Sequence, residues 1–229
     1  MTNDKKTLKV WDPLVRIGHW TLVVAFFTAY FTEDDFMALH VWAGYVVGAY
    51  VLIRVLWGFV GDKNARFTNF VYFPTKIFGY LKNLIARKPQ HYTGHNPAGG
   101  AMVLALLLSL TGTTWTGLKL YAVEENKGPL AISARHVQTP IQTASLISVA
   151  KAEDNDEGKG EEPELIDKEH NVDKQGEKYW EELHELFANL TLLLVFLHIV
   201  GVIVSSYIDK ENLVKAMLTG EKEIDGTYK

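Results

Sequence analysis

Four stretches of the chain are apolar on every side, and polar sequence separates them. Leu14–Thr32 reads LVRIGHWTLVVAFFTAYFT, with Arg16 at its edge, and Val41–Val60 reads VWAGYVVGAYVLIRVLWGFV, with Arg54 as its single charge. Gly99–Leu118 and Leu186–Ile208 carry no charged residue. Each reaches the roughly 20 residues a helix needs to cross about 30 Å of hydrocarbon while satisfying its own backbone. Four helices apolar all round would need more polar covering than a soluble chain of 229 residues can supply. The pattern predicts an all-α membrane protein with spans at about 14–32, 41–60, 99–118 and 186–208. The first span follows a short basic lead, but no A-x-A-like cleavage site follows it, so it reads as a retained helix.

Lysine and arginine give the spans a direction. Lys5, Lys6 and Lys9 precede the first span, with Arg16 at its boundary. Lys63, Arg66, Lys76, Lys82, Arg87 and Lys88 lie between the second and third, against one acid, Asp62. The first connection, Glu33-Asp34-Asp35, has no basic residue. The positive-inside rule then puts the N-terminus and the second connection in the cytoplasm, and an even number of spans returns the C-terminus there. The third connection, 122–182, falls on the periplasmic side of a bacterial cytoplasmic membrane. It holds 15 Asp/Glu against 7 Lys/Arg, and its run Lys151–Glu164 is poor in apolar residues. Such a segment buries too little surface to offset its ordering entropy, so this long acidic loop is expected to be partly disordered. It also offers a docking surface for a basic partner.

Composition narrows the chemistry. With no cysteine there is no disulfide framework, no thiolate metal site, no thiol nucleophile and no covalently attached c-type haem. A net charge of −4 without a basic block excludes nucleic acid as a partner.

Of the eight histidines, His136 and His170 lie in the acidic loop, and His91 and His95 in the basic inner connection. The other four, His19, His40, His184 and His198, sit in or at the ends of spans one, two and four, where ionisable groups are costly and mark function. The span directions sort them by depth: His40 with His184 near the outer face, His19 with His198 nearer the inner face. From His184 to His198 is 14 residues, about 40° short of whole turns and about 21 Å along the axis. Two imidazoles at one depth can ligate the iron of one planar macrocycle from opposite sides. Two such pairs predict two stacked haems in a four-helix bundle, and without cysteine they are b-type. Arg54 stands 14 residues past His40, at inner-pair depth, where it can pair with a haem propionate or snorkel to the cytoplasmic surface. Gly44 and Gly48 follow His40 on the same face, as room for a flat ring or as close helix packing. Zinc or copper would gather three or four ligands at one depth, and a proton relay would need carboxylates that the spans lack.

RIGHW at 16–20, RVLWGFVG at 54–61, GHNPAGG at 94–100 and ELHELFANLTLLLVFLHIVGVIVSS at 182–206 together resemble the bacterial cytochrome b561 family, which includes the cytochrome b subunits of nickel–iron hydrogenases. The resemblance covers nearly the whole chain except the acidic part of the third connection. It implies a di-haem electron carrier of the cytoplasmic membrane that exchanges electrons with the quinone pool. It also puts the haem-ligand positions on His19, His40, His184 and His198.

The reading is transmembrane electron transfer by two haem b groups, between quinone or quinol and a periplasmic redox protein. The acidic loop points to a basic c-type cytochrome in that role. Whether this makes it a quinol/quinone oxidoreductase in its own right is left open, as is a homodimer. The alternatives are a membrane-anchoring subunit of a larger respiratory enzyme such as a hydrogenase, a superoxide:quinone oxidoreductase, and a non-redox transporter. The acidic loop argues against superoxide, an anion. Asp62, His91 and His95 have suitable depth for a quinone site, but loop residues of these types are usually solvated.

Overall fold

Pro13 opens the first long helix because Asp12 prepares its end. The Asp12 carboxylate accepts the Val15 backbone N–H at 2.9 Å, and proline at the first helical position gives up a donor that had no partner there. A second Asp12 oxygen accepts the Trp57 indole N–H at 3.2 Å, tying the start of this helix to the end of the next. The computed structural model describes residues 6–33, 35–86, 92, 94–131, 163–209 and 211–224.

In chain order the elements are β1 (Lys6–Lys9), α1 (Pro13–Phe31), α2 (Met37–Val60), α3 (Phe67–Phe70), α4 (Pro74–Ile85), α5 (Pro97–Glu124), α6 (Pro163–Asp209), α7 (Leu213–Thr219) and β2 (Glu221–Ile224). Four of the helices, α1, α2, α5 and α6, are long and apolar enough to cross a membrane. They carry the four stretches that hydropathy singles out, and two extend well past them. α5 has 28 residues and α6 has 47, about 42 Å and 70 Å at 1.5 Å per residue. Hydropathy sees only the part of a helix that matches hydrocarbon; α6 starts at Pro163 in sequence rich in Glu and Lys, which are good helix formers in water too. Residues 163–182 of the third connection are therefore helical, while 132–162 lie outside the described residues.

The chain forms two units, Met1–Thr114 with Phe187–Lys229, and Trp115–Leu186. The first is organised as a membrane protein should be. Ala25, Phe26, Val47, Val51 and Leu110 form its core, with Leu22, Tyr30, Leu192 and Val195 packed against them, so all four long helices converge there. Outward faces are apolar: Ile17, Val24, Leu52, Phe59 and Ile203 are all more than 60% exposed. Buried positions include polar ones, Arg54, Ser109, Thr191 and Ser205. Large apolar groups facing out and hydroxyls facing in suit a lipid solvent. Ser109 and Thr191 bond each other at 2.7 Å, and Thr191 also donates to the Phe187 carbonyl at 2.8 Å.

At one end of this unit, β1 pairs antiparallel with β2, Lys6 opposite Ile224 and Lys9 opposite Glu221. Gly220 turns α7 into β2 at φ 86°, a left-handed conformation that leaves no place for a side chain beside Arg16 and the Trp11 carbonyl. The ladder brings the segments that flank the four spans to one side of the bundle, as an even number of spans requires. In the second unit, Lys119 lies 5.6 Å from the Trp115 ring and 6.0 Å from the Trp180 ring.

Candidate functional site

His19 projects from α1 and His198 from α6, and their rings face each other with centroids 6.3 Å apart, tilted by 57°. Depth sorting pairs these two, and the fold brings them together. Half of that separation, about 3 Å, matches a metal–imidazole bond of about 2.0–2.1 Å plus the ring's own radius. The donor set and spacing thus fit a group ligated from two sides. His19 Nδ1 is buried with no hydrogen-bond partner among the described residues. Among the described residues no three His, Cys, Asp or Glu side chains gather to hold a bare metal ion.

Arg54 of α2 belongs to the same unit and is buried, only 5% exposed. It does not snorkel. Its guanidinium lies 5.6 Å from the Phe67 ring centroid and 5.8 Å from that of Phe70, both on α3. The α3 turn fits closely because Gly58 and Gly100 leave room: a Cβ at Gly58 would strike the Phe67 ring, and one at Gly100 the Phe70 carbonyl. Arg54 Nη1 has no hydrogen-bond partner among the described residues. A cation held by rings on its faces keeps its N–H edge free for an anionic group such as a carboxylate.

The remaining two histidines are described each within its own unit. His40 stands in the first turn of α2, and its Nδ1 lies 2.9 Å from the Ala29 carbonyl. A carbonyl can only accept, so Nδ1 is the donor in this bond. Two glycines follow on the same face and differ. A Cβ at Gly48 would sit 2.6 Å from the Thr114 methyl, so Gly48 serves close helix packing. At Gly44 a Cβ would meet no atom within 4 Å, which is the open space a flat ring needs. In the other unit, His184 Nδ1 lies 3.1 Å from the Thr116 hydroxyl, and Gly117 lets that ring approach, since a Cβ there would be 2.8 Å from His184 Cε1. Thr116 and Gly117 give no signal in the sequence, where both are ordinary residues of an apolar helix.

The inner connection holds a residue that the expectation of solvated loop histidines misjudges. His95 is wedged between Trp11 and Phe70, at ring-centroid distances of 4.6 Å and 4.7 Å, and its Nδ1 is buried. Burial above all, then the positive charge of Arg54, holds its pKa down to about 3. Burial likewise pushes the Tyr80 phenol of α4 up. Asn64 beside this cluster donates to the Val10 carbonyl at 2.9 Å. Asp62 lies in the short turn after α2, where its carbonyl accepts from the Ala65 and Arg66 backbone. His91, His136 and the acidic stretch 151–162 lie outside the described residues.

A protein named "Probable Ni/Fe-hydrogenase B-type cytochrome subunit" from Bradyrhizobium diazoefficiens is 28% identical over 148 residues, 52% of this chain and 59% of its own length. One of the same name from Rhizobium leguminosarum bv. viciae is 28% identical over 52% of this chain and 62% of its own, and one from Azotobacter chroococcum is 29% identical over 53% and 62%. The chain thus spans about three-fifths of the length of these curated relatives. No solved structure matches it. The family model described as prokaryotic cytochrome b561 matches residues 10–220, which take in the four apolar helices and all four span histidines, and the chain belongs to that family.

Proposed function

We propose that the protein is a di-haem cytochrome b of the bacterial cytoplasmic membrane, passing electrons between the quinone pool and a redox protein at the periplasmic face. The observation that carries the reading is the facing pair His19 and His198, within a bundle whose only buried span cation is Arg54 among the described residues. Membership of the cytochrome b561 family implies b-type haem. Haem iron, when bound, supplies one-electron redox chemistry between its ferric and ferrous forms. The chain's own residues do the rest. His19 and His198 would hold the inner group, and His40 and His184, the other two ligand positions that the resemblance implies, would hold the outer. Arg54 would offer its N–H edge to a propionate of the inner group. The apolar bundle excludes water, which keeps the sites in a low-dielectric setting. The lysine and arginine distribution supports cytoplasmic termini, and the β1–β2 ladder supports a shared side for both.

A second reading is favoured by the names of the relatives: a membrane-anchoring cytochrome b subunit of a larger enzyme such as a nickel–iron hydrogenase. The two differ in company. A free-standing carrier purifies alone and reacts with a soluble c-type cytochrome, whereas an anchoring subunit brings a catalytic subunit with it. The deciding experiment for the common core is the oxidised and dithionite-reduced spectrum of detergent-purified protein with a pyridine haemochrome count. Two low-spin b-type haems per chain support the four-histidine assignment, and a haem-free protein overturns it.

A further inference from the structure

We propose that α4 is an interfacial helix that lies in the headgroup layer on the side of the β1–β2 ladder and gathers anionic phospholipid there. Phe78, Leu81 and Ile85 enter the acyl region, and Lys76 and Lys82 attract the headgroups. The inference goes beyond electron transfer and needs no haem. PTKIFGYLKNLI opens on proline at the first helical position and mixes apolar and basic residues at helical spacing. Its apolar residues fall on two faces with different surroundings. Tyr80 points into the protein and is 3% exposed, its ring 5.8 Å from that of Tyr92 and its phenol beside Ser205 and Asp209 in the last turns of α6. Phe78, Leu81 and Ile85 follow one another at i, i+3 and i+7, within about 60° on the helix, and face outward. Phe78 is 71% exposed and Ile85 84%, with Phe73 just before the helix at 79%.

Depth and charge say what covers that outward face. Ser205 and Asp209 stand where the apolar stretch of α6 ends, so α4 sits at the level of the membrane surface. Tyr72, Tyr80 and Tyr92 cluster at this level, Tyr92 lying 6.2 Å and 5.8 Å from the other two rings, as tyrosines do where hydrocarbon meets water. The Tyr92 carbonyl accepts from Lys222 of β2 at 3.1 Å, which sets α4 on the side of the ladder. From Lys63 to Tyr92 the chain carries six basic residues and no acid. Lys82 is exposed and, four residues after Phe78, borders the apolar face. Lys76 is exposed too, its Nζ 5.9 Å from the Tyr72 ring centroid. An apolar face at the membrane surface, within an acid-free basic segment, complements an anionic lipid surface.

The test places one cysteine at a time in the full-length protein, which has none of its own, labels it with an environment-sensitive maleimide, and reconstitutes the protein in phosphatidylcholine nanodiscs. A second lipid in the disc carries a nitroxide on its acyl chain, and quenching is read against nitroxide-free discs. Labels at Phe78→Cys and Ile85→Cys should be quenched. One at Gly79→Cys, where a Cβ meets no atom within 4 Å, should be spared because it faces water. Nitroxide phosphatidylglycerol should quench the Phe78→Cys label more than nitroxide phosphatidylcholine at equal mole fraction. Adding Lys76→Gln and Lys82→Gln should lower that preference, by up to about fivefold for each lysine, and about 1 M salt should do the same. Labels at Phe78→Cys and Ile85→Cys that escape the nitroxide mean that water or a second copy of the chain covers the face, and overturn the inference. Equal quenching by the two lipids, or a preference that the lysine substitutions leave unchanged, overturns it as well. The haem count bears on none of these outcomes, so the di-haem reading stands or falls separately.

Discussion

At Gly117 the absence of a side chain is filled by a neighbour: the His184 imidazole lies where a methyl group would have to go. Gly117→Ala is therefore expected to displace that ring and lose about one haem per chain by pyridine haemochrome, whereas Gly44→Ala, facing open space, should fold normally and be judged by its spectrum. His95 makes a prediction about acid. Its pKa is about 3 in the folded protein against an ordinary value near 6.5, so below pH 6.5 the unfolded chain takes up a proton that the folded chain refuses. Stability then falls as pH drops from about 6.5 towards 3, by at most about 1.4 kcal/mol per unit. His95→Gln should flatten the melting temperature over that window, and an unchanged slope would rule His95 out as its source. The meeting of His19 with His198 was legible because span direction turns a residue number into a depth. Thr116, Gly117 and the wedge of His95 were not, because each owes its role to which side chain stands opposite, and one sequence does not reveal neighbours across helices.

Hydropathy located the four long helices well, since lipid imposes a run of about 20 apolar residues whatever the packing. It could not find their ends where water takes over, which is why α5 and α6 outrun the apolar stretches. Nor did it show α3 and α4. Their Phe67, Phe70 and Tyr80 sit in mixed polar sequence, yet Phe70 and Tyr80 are buried to 1% and 3% exposure. The packing of α5 on α6 can be tested through hydroxyls. Thr191 is fully buried and bonded to Ser109. Thr191→Val should cost about 1 kcal/mol by leaving Ser109 short of a partner, and adding Ser109→Ala should recover most of it, since removing both partners is close to neutral. Detergent unfolding curves of the single and double variants check this. Asp12→Ala removes both the α1 cap and the Trp57 bond, with an expected loss of about 1–2 kcal/mol in the same assay.

For the molecule as a whole, sidedness is the property most open to direct measurement. The chain contains no cysteine, so single-cysteine variants label without background. Glu33→Cys, between α1 and α2, should react with an impermeant maleimide added outside intact spheroplasts, and Lys82→Cys on α4 only after the membrane is opened. The reverse pattern would invert the orientation drawn from lysine and arginine.

The β1–β2 ladder joins residues 6–9 to 221–224, nearly the whole length of the chain apart. At a ribosome speed of about 5–20 residues per second, β1 waits on the order of 10–40 s for its partner to be made. An even number of crossings must meanwhile have been completed between them, or β2 emerges on the opposite side from β1 and the ladder cannot close. The clasp therefore ties the entry into the first span to the exit from the last, and closes only where both lie on one side of the membrane.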